Sequence, residues 1–147
     1  MINYNHEAES ACLGSCILDN EAFLLTAETL IQADFYKSEH QCIFGCMLEL
    51  LEEGTSLDII TLTSKLKFDN NLEKIGGVIY LTQLMDSVPT TKNIEHYIAL
   101  IQKAAIKRAR YGLLIGVNNG NITVDNALTE LENLNDTKVK EETLQML

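Results

Sequence analysis

Proline is almost missing from this chain: one residue in 147, Pro89. The residue that breaks helices most strongly therefore interrupts the sequence only once. Long apolar runs are missing too, and no stretch approaches the ~20 apolar residues of a membrane-spanning helix. The opening MINYNHEAES has neither the basic nor the apolar segment of a secretory signal. A soluble, cytoplasmic protein with no membrane partner is the expectation. Basic residues are scarce, 11 against 21 acidic, for a net charge of −10. Such a surface repels a phosphate backbone at long range, so direct DNA binding is expected to be minor at most.

The motifs of common catalytic sites are absent as well. No G-x-x-x-x-G-K-[ST], G-x-S-x-G, H-E-x-x-H or C-x-x-C occurs. The stretches KIGGVIY (74–80) and GVNNGNIT (116–123) bend around glycines but lack the lysine and hydroxyl that hold phosphates and Mg²⁺. No catalytic residue, cofactor or metal ligand is assigned, and the chain is expected not to be an enzyme.

Cysteine occurs four times, as Cys12 and Cys16 in ACLGSC and as Cys42 and Cys46 in QCIFGC. A reducing cytoplasm argues against disulfides. Spacing of i, i+4 puts each pair on one helical face, from which four thiolates on two helices would reach one zinc ion. Structural four-thiolate sites, however, use knuckles and turns, whereas these cysteines stand beside Leu13, Ile17, Ile43 and Met47. Free cysteine behaves as a small buried hydrophobe. Core packing is the favoured reading, with the first and third helices touching where the cysteines lie; a thiol-based metal or redox module is the alternative. His40 has no acid or second histidine at ligand spacing and is expected to be a structural histidine near a helix start.

The remaining pattern is helix after helix. Apolar residues at 8, 12, 13, 16 and 17 predict a helix over 7–18. Asn20 is expected to cap a second over 21–31, burying Phe23, Leu24, Ala27, Leu30 and Ile31. A third runs from Ser38 to Glu53 with positions 42, 43, 46, 47, 50 and 51 inward and Gly54 just past its end. Glu49, Glu52 and Glu53 near that end make a solvated acidic face or a docking surface. Asp58 caps a fourth helix ending near Phe68, a fifth covers 77–88 before Pro89, a sixth 93–115 and a seventh 123–134. No strand alternation competes. Val124, Ala127, Leu131 and Leu134 follow a heptad seam, so the last two helices form an αα-hairpin whose seam is buried either internally or against a partner chain.

Charge is unevenly spread. Residues 1–70 hold 12 acidic and 3 basic residues, residues 71–117 hold 3 and 6, and residues 118–147 hold 6 and 2. Lys103, Lys107, Arg108 and Arg110 crowd into QKAAIKRAR. They are candidates for electrostatic docking onto acidic helices of this chain or a neighbour.

Five ordered stretches, AESACLGSCILD, DFYKSEHQCIF, GTSLDIITLTSKL, GGVIYLTQLMDSVPTTKNIEHY and IKRAR, resemble the N-terminal domain of bacterial DnaB-type replicative DNA helicases over roughly residues 7–111. Matching positions include Ala8, Glu9, Leu13, Gly14 and Asp19; Asp34, Phe35, Tyr36, His40 and Ile43; and Gly54, Asp58, Thr61, Gly76, Gly77, Tyr80, Leu81, Leu84, Pro89, Asn93 and Tyr97. The resemblance implies an all-α fold, a small helical globule followed by a helical hairpin, here placed at residues 1–92 and 93–136, with 137–147 a tail or the start of a linker. It implies a non-catalytic collar domain that supports ring assembly and docks the helicase-binding domain of primase. Self-association, as a dimer or larger ring, is expected through Ile101, Ala105, Leu128, Leu131 and Leu134. The RecA-like motor that follows the family's collar has no counterpart in this chain, and the match thins beyond Tyr111. A stand-alone phage- or plasmid-type regulator that mimics the collar and binds a host helicase or primase is the alternative.

Overall fold

The computed structural model describes residues 4–134, and every regular element among them is helical. The α-helices are α1 (His6–Leu18), α2 (Asn20–Thr29), α3 (Ser38–Glu52), α4 (Ile59–Phe68), α5 (Gly77–Asp86), α6 (Ile94–Asn118) and α7 (124–134). Short 3₁₀ turns stand at Gln32–Asp34 and Thr91–Asn93. The tail expected at 137–147 lies outside the described residues. Two compact units result, one of residues 4–105 and one whose described part is 106–134.

Within the first unit α1 is the central helix, packed by α2, α3 and α5. Every residue from Ala8 to Ile17 is buried, including Glu9, Ser10 and Ser15. An apolar stripe of five positions suggests a one-sided helix. Small residues on the remaining faces, Ser10, Ala11, Gly14 and Ser15, let neighbours close in all round. Gly14 shows how tightly: a β-carbon there would collide with the Leu84 carbonyl and stand 2.6 Å from the Val88 side chain. The Ser15 hydroxyl is satisfied locally, donating to the Ala11 carbonyl at 2.7 Å.

Caps set the helix boundaries. The Asn5 side chain accepts from the Ala8 amide and starts α1. Asp58 accepts from the Thr61 amide while its own amide donates to Thr61 Oγ1, a reciprocal box that starts α4 where the sequence placed it. Asp19, not Asn20, caps α2, accepting from the Glu21 amide at 3.0 Å. Ala22, Phe23 and Thr26 form its buried face, while Leu24 is exposed. Ile31 lies beyond the helix end and is exposed too. In α3 the buried set is His40, Ile43, Phe44, Cys46, Met47 and Leu50; Leu51, expected inside, is exposed. Lys65 reaches from α4 to Glu49 (3.4 Å) and Glu53 (2.8 Å), so two of the three crowded acids serve as a helix–helix tie.

In the second unit α6 ends at a left-handed Gly120, with Asn121 N–H donating to the Gly116 carbonyl and Gly120 N–H to that of Val117. This double bond is the Schellman ending, which only a residue tolerant of positive φ closes without strain. The chain then reverses, and Thr123 Oγ1 accepts from the Asn126 amide at the start of α7.

Candidate functional site

Two helices alone cannot surround an apolar side chain, and the described part of the hairpin unit is two helical segments. Ala127 is buried and Leu131 and Leu134 are half-buried. Leu134 lines a cleft with Ala109, Gly112 and Leu113 of α6 and Glu130 and Asn133 of α7. Most of the heptad seam therefore turns toward α6 of the same hairpin. The other faces stay open. Leu114 is 60% exposed and Leu128 52%, and Tyr111, Ile115 and Val124 are exposed as well. Tyr111, Leu114 and Ile115 are spaced i, i+3, i+4 and share one face of α6; Val124 and Leu128, at i, i+4, share one face of α7.

The residues proposed for self-association thus divide. Leu128 is openly exposed, Leu131 and Leu134 offer partial surface, and Ala105 is half-buried at the end of the first unit. Ile101 is corrected: at 1% exposure it belongs to the core of residues 4–105 and has no surface to offer. Tyr111, Leu114 and Ile115 are exposed although in the sequence they continue an apolar stripe that begins in the core. Among the basic residues, Lys103, Lys107 and Arg110 are exposed and Arg108 is half-buried.

A second constellation lies in the first unit. Glu9 on α1 is 1% exposed and His40 on α3 is 0% exposed. His40 Nδ1 stands 2.7 Å from Glu9 Oε1, and His40 Nε2 stands 2.6 Å from the Tyr80 hydroxyl on α5. The other Glu9 oxygen accepts from the Tyr36 amide at 2.9 Å. Lys37 Nζ donates to Tyr80 Oη at 3.4 Å and lies 5.0 Å from that ring's centre. Both ring nitrogens of His40 thus have a partner, the Glu9 carboxylate on one side and the Tyr80 hydroxyl on the other. A carboxylate buried without partners is prohibitive, and this one is satisfied from two sides. Acid, imidazole and phenol here pin α1, α3 and α5 to one another.

The cysteines are free thiols in two different settings. Cys12 Sγ lies 3.7 Å from Thr26 Oγ1, facing α2, while Cys42 and Cys46 line a surface cleft with Gln32, Glu49 and Asp69. The first and third helices, α1 and α3, do pack on one another. Among the described residues no group of three or more His, Cys, Asp or Glu is arranged to hold a metal. The hydrogen bond with Cys16, then burial, holds the Cys12 thiol well above its usual range. Burial pushes Cys46 up to about 12 and raises Cys42. Thiols so shifted are protonated at neutral pH and poor nucleophiles.

Residues 1–103 match the family described as the DnaB-like helicase N terminal domain. The replicative DNA helicase DnaB of Geobacillus stearothermophilus is 36% identical over 135 residues, 92% of this chain and 30% of that protein. The replicative DNA helicase DnaC of Bacillus subtilis (strain 168) is 43% identical over 104 residues, 71% of this chain and 23% of that protein. The chain thus spans about a third or less of these relatives. Among solved structures, the N-terminal domain of DnaB helicase from Mycobacterium tuberculosis superposes with a TM-score of 0.81 at 27% identity, covering 90% of this chain and 99% of that one. A DnaB-like replicative helicase, in a structure that describes its interactions with primase, superposes with a TM-score of 0.74 at 25% identity, covering 95% of this chain and 34% of that one. No helix among the described residues is long and apolar enough to cross a membrane. Fold, ordered motifs and matched residues agree, and the chain belongs to the DnaB-like helicase N-terminal domain family.

Proposed function

We propose that this chain is a non-catalytic, cytoplasmic collar domain of a replicative DNA helicase, which supports ring assembly through its hairpin and docks primase. One observation carries the assembly role: the open apolar faces of α6 and α7, with Tyr111, Leu114, Ile115, Val124 and Leu128 exposed. Burying such faces against a second copy removes apolar surface from water at ~25 cal/mol per Å². Lys103, Lys107, Arg108 and Arg110 act in this reading as electrostatic guides, setting approach and orientation more than affinity. The primase role is supported by the likeness to a helicase whose structure describes primase contacts.

Light scattering across a concentration series tests the assembly reading. The chain is expected to move from monomer to dimer or larger ring in the micromolar range, and Leu114→Asp with Leu128→Asp to hold it monomeric while circular dichroism stays helical. A strict monomer at high micromolar concentration would end the assembly reading. Co-elution with the helicase-binding domain of primase tests the second role separately.

A further inference from the structure

The Glu9–His40–Tyr80 cluster has an outer layer that the collar role leaves unused. The His6 ring stacks on the His40 ring, centres 5.5 Å apart and 25° between planes, and His40 stacks in turn on Tyr80 at 5.9 Å and 21°. Tyr4 packs edge-on to His6 and lies 4.5 Å from the Tyr36 ring. Residues 4–6, the start of the described chain, are thus laid over the polar cluster by ring contacts that cover His6 only in part.

We propose that His6 is an acid-sensitive latch: as a neutral ring it holds the start of α1 against His40, and on gaining a proton it lets go. The charges around it set the sign. Lys37 and the His40 imidazole face His6 and oppose a positive charge there; Glu9 and Glu7 favour one, and Ser10 Oγ lies 3.4 Å from its Nε2. Burial against the stack, followed by His40 and Lys37, outweighs the two carboxylates and lowers the His6 pKa below 6.5. A histidine whose folded pKa is depressed binds fewer protons folded than released, so docking is favoured above pH ~6.5 and weakens as pH falls through the folded value. Each unit of depression is a tenfold preference for the docked neutral ring.

Three amides report the latch. Ala8 N–H is bonded to the Asn5 side chain, Glu9 N–H to the Asn5 carbonyl, and Tyr36 N–H to Glu9. Hydrogen exchange on the full chain, corrected for the intrinsic pH dependence of exchange, is measured from pH 7.5 to 5. The two Asn5-bonded amides are expected to lose protection several-fold along a one-proton curve, Tyr36 less. His6→Phe, which keeps a ring without a titratable nitrogen, is expected to flatten that curve. His6→Lys, charged throughout, is expected to show the low protection at every pH. An unchanged pH curve in His6→Phe, a flat curve in the natural chain, or a His6 imidazole titrating at 6.5 or above by NMR would each overturn the latch.

Discussion

The two units spend the same kind of helix differently. Residues 4–105 pack α2, α3 and α5 around α1 until every residue from Ala8 to Ile17 is buried and even a carboxylate inside is satisfied. Residues 106–134 have only two helical segments, and each keeps a face that no other described residue of the unit covers. Enclosure needs more than two helices, and the difference teaches that a hairpin's apolar faces read as surface rather than as core. Stability is the business of the first unit and association, in our reading, that of the second.

Substitutions that strike only one side test this contrast. The largest effect is expected at Glu9→Ala, which strands His40 Nδ1 and the Tyr36 amide in the interior. Loss of one partner from a buried pair costs about 3–5 kcal/mol, a large part of the stability of a domain this size. Urea unfolding checks it; a loss below 1 kcal/mol would mean that the cluster does not hold α1, α3 and α5 together. Next comes Gly14→Ala, whose added carbon meets backbone at Leu84 and cannot be relieved by rotating a side chain. Overpacking of that kind costs about 1–3 kcal/mol, read as a lower urea midpoint with unchanged slope. Smallest is Leu128→Ser, on an open face, which is expected to change monomer stability by no more than about 0.5 kcal/mol. If it proved as damaging as Gly14→Ala, the contrast between the units would fail.

Much of this was readable from residues alone, for reasons that are local. Asp58 with Thr61 three residues on, Gly54 after a helix and Pro89 closing another act through bonds within one turn, and their helices begin and end near where the sequence placed them. Burial was less legible. Leu24, Ile31 and Leu51 belong to apolar runs yet are exposed, because a run marks a face without saying what stands opposite it. The polar cluster was illegible in a different way. The partners of His40 are distant in sequence, Glu9 by 31 residues and Tyr80 by 40, so local spacing does not reveal them. A signal was there: a glutamate set between Ala8 and Ala11 in a helix with no polar face has to find a partner, and the partner is wherever the fold brings a donor.

The fully enclosed α1 has a consequence for how the protein is made. It leaves the ribosome before α5, which closes over Gly14 and is complete only about 70 residues later. At synthesis rates of ~5–20 residues per second, that is a wait of roughly 4–14 s with its apolar sides uncovered. Any mutation or rare-codon pause that delays α5 lengthens the period in which α1 can find the wrong companion.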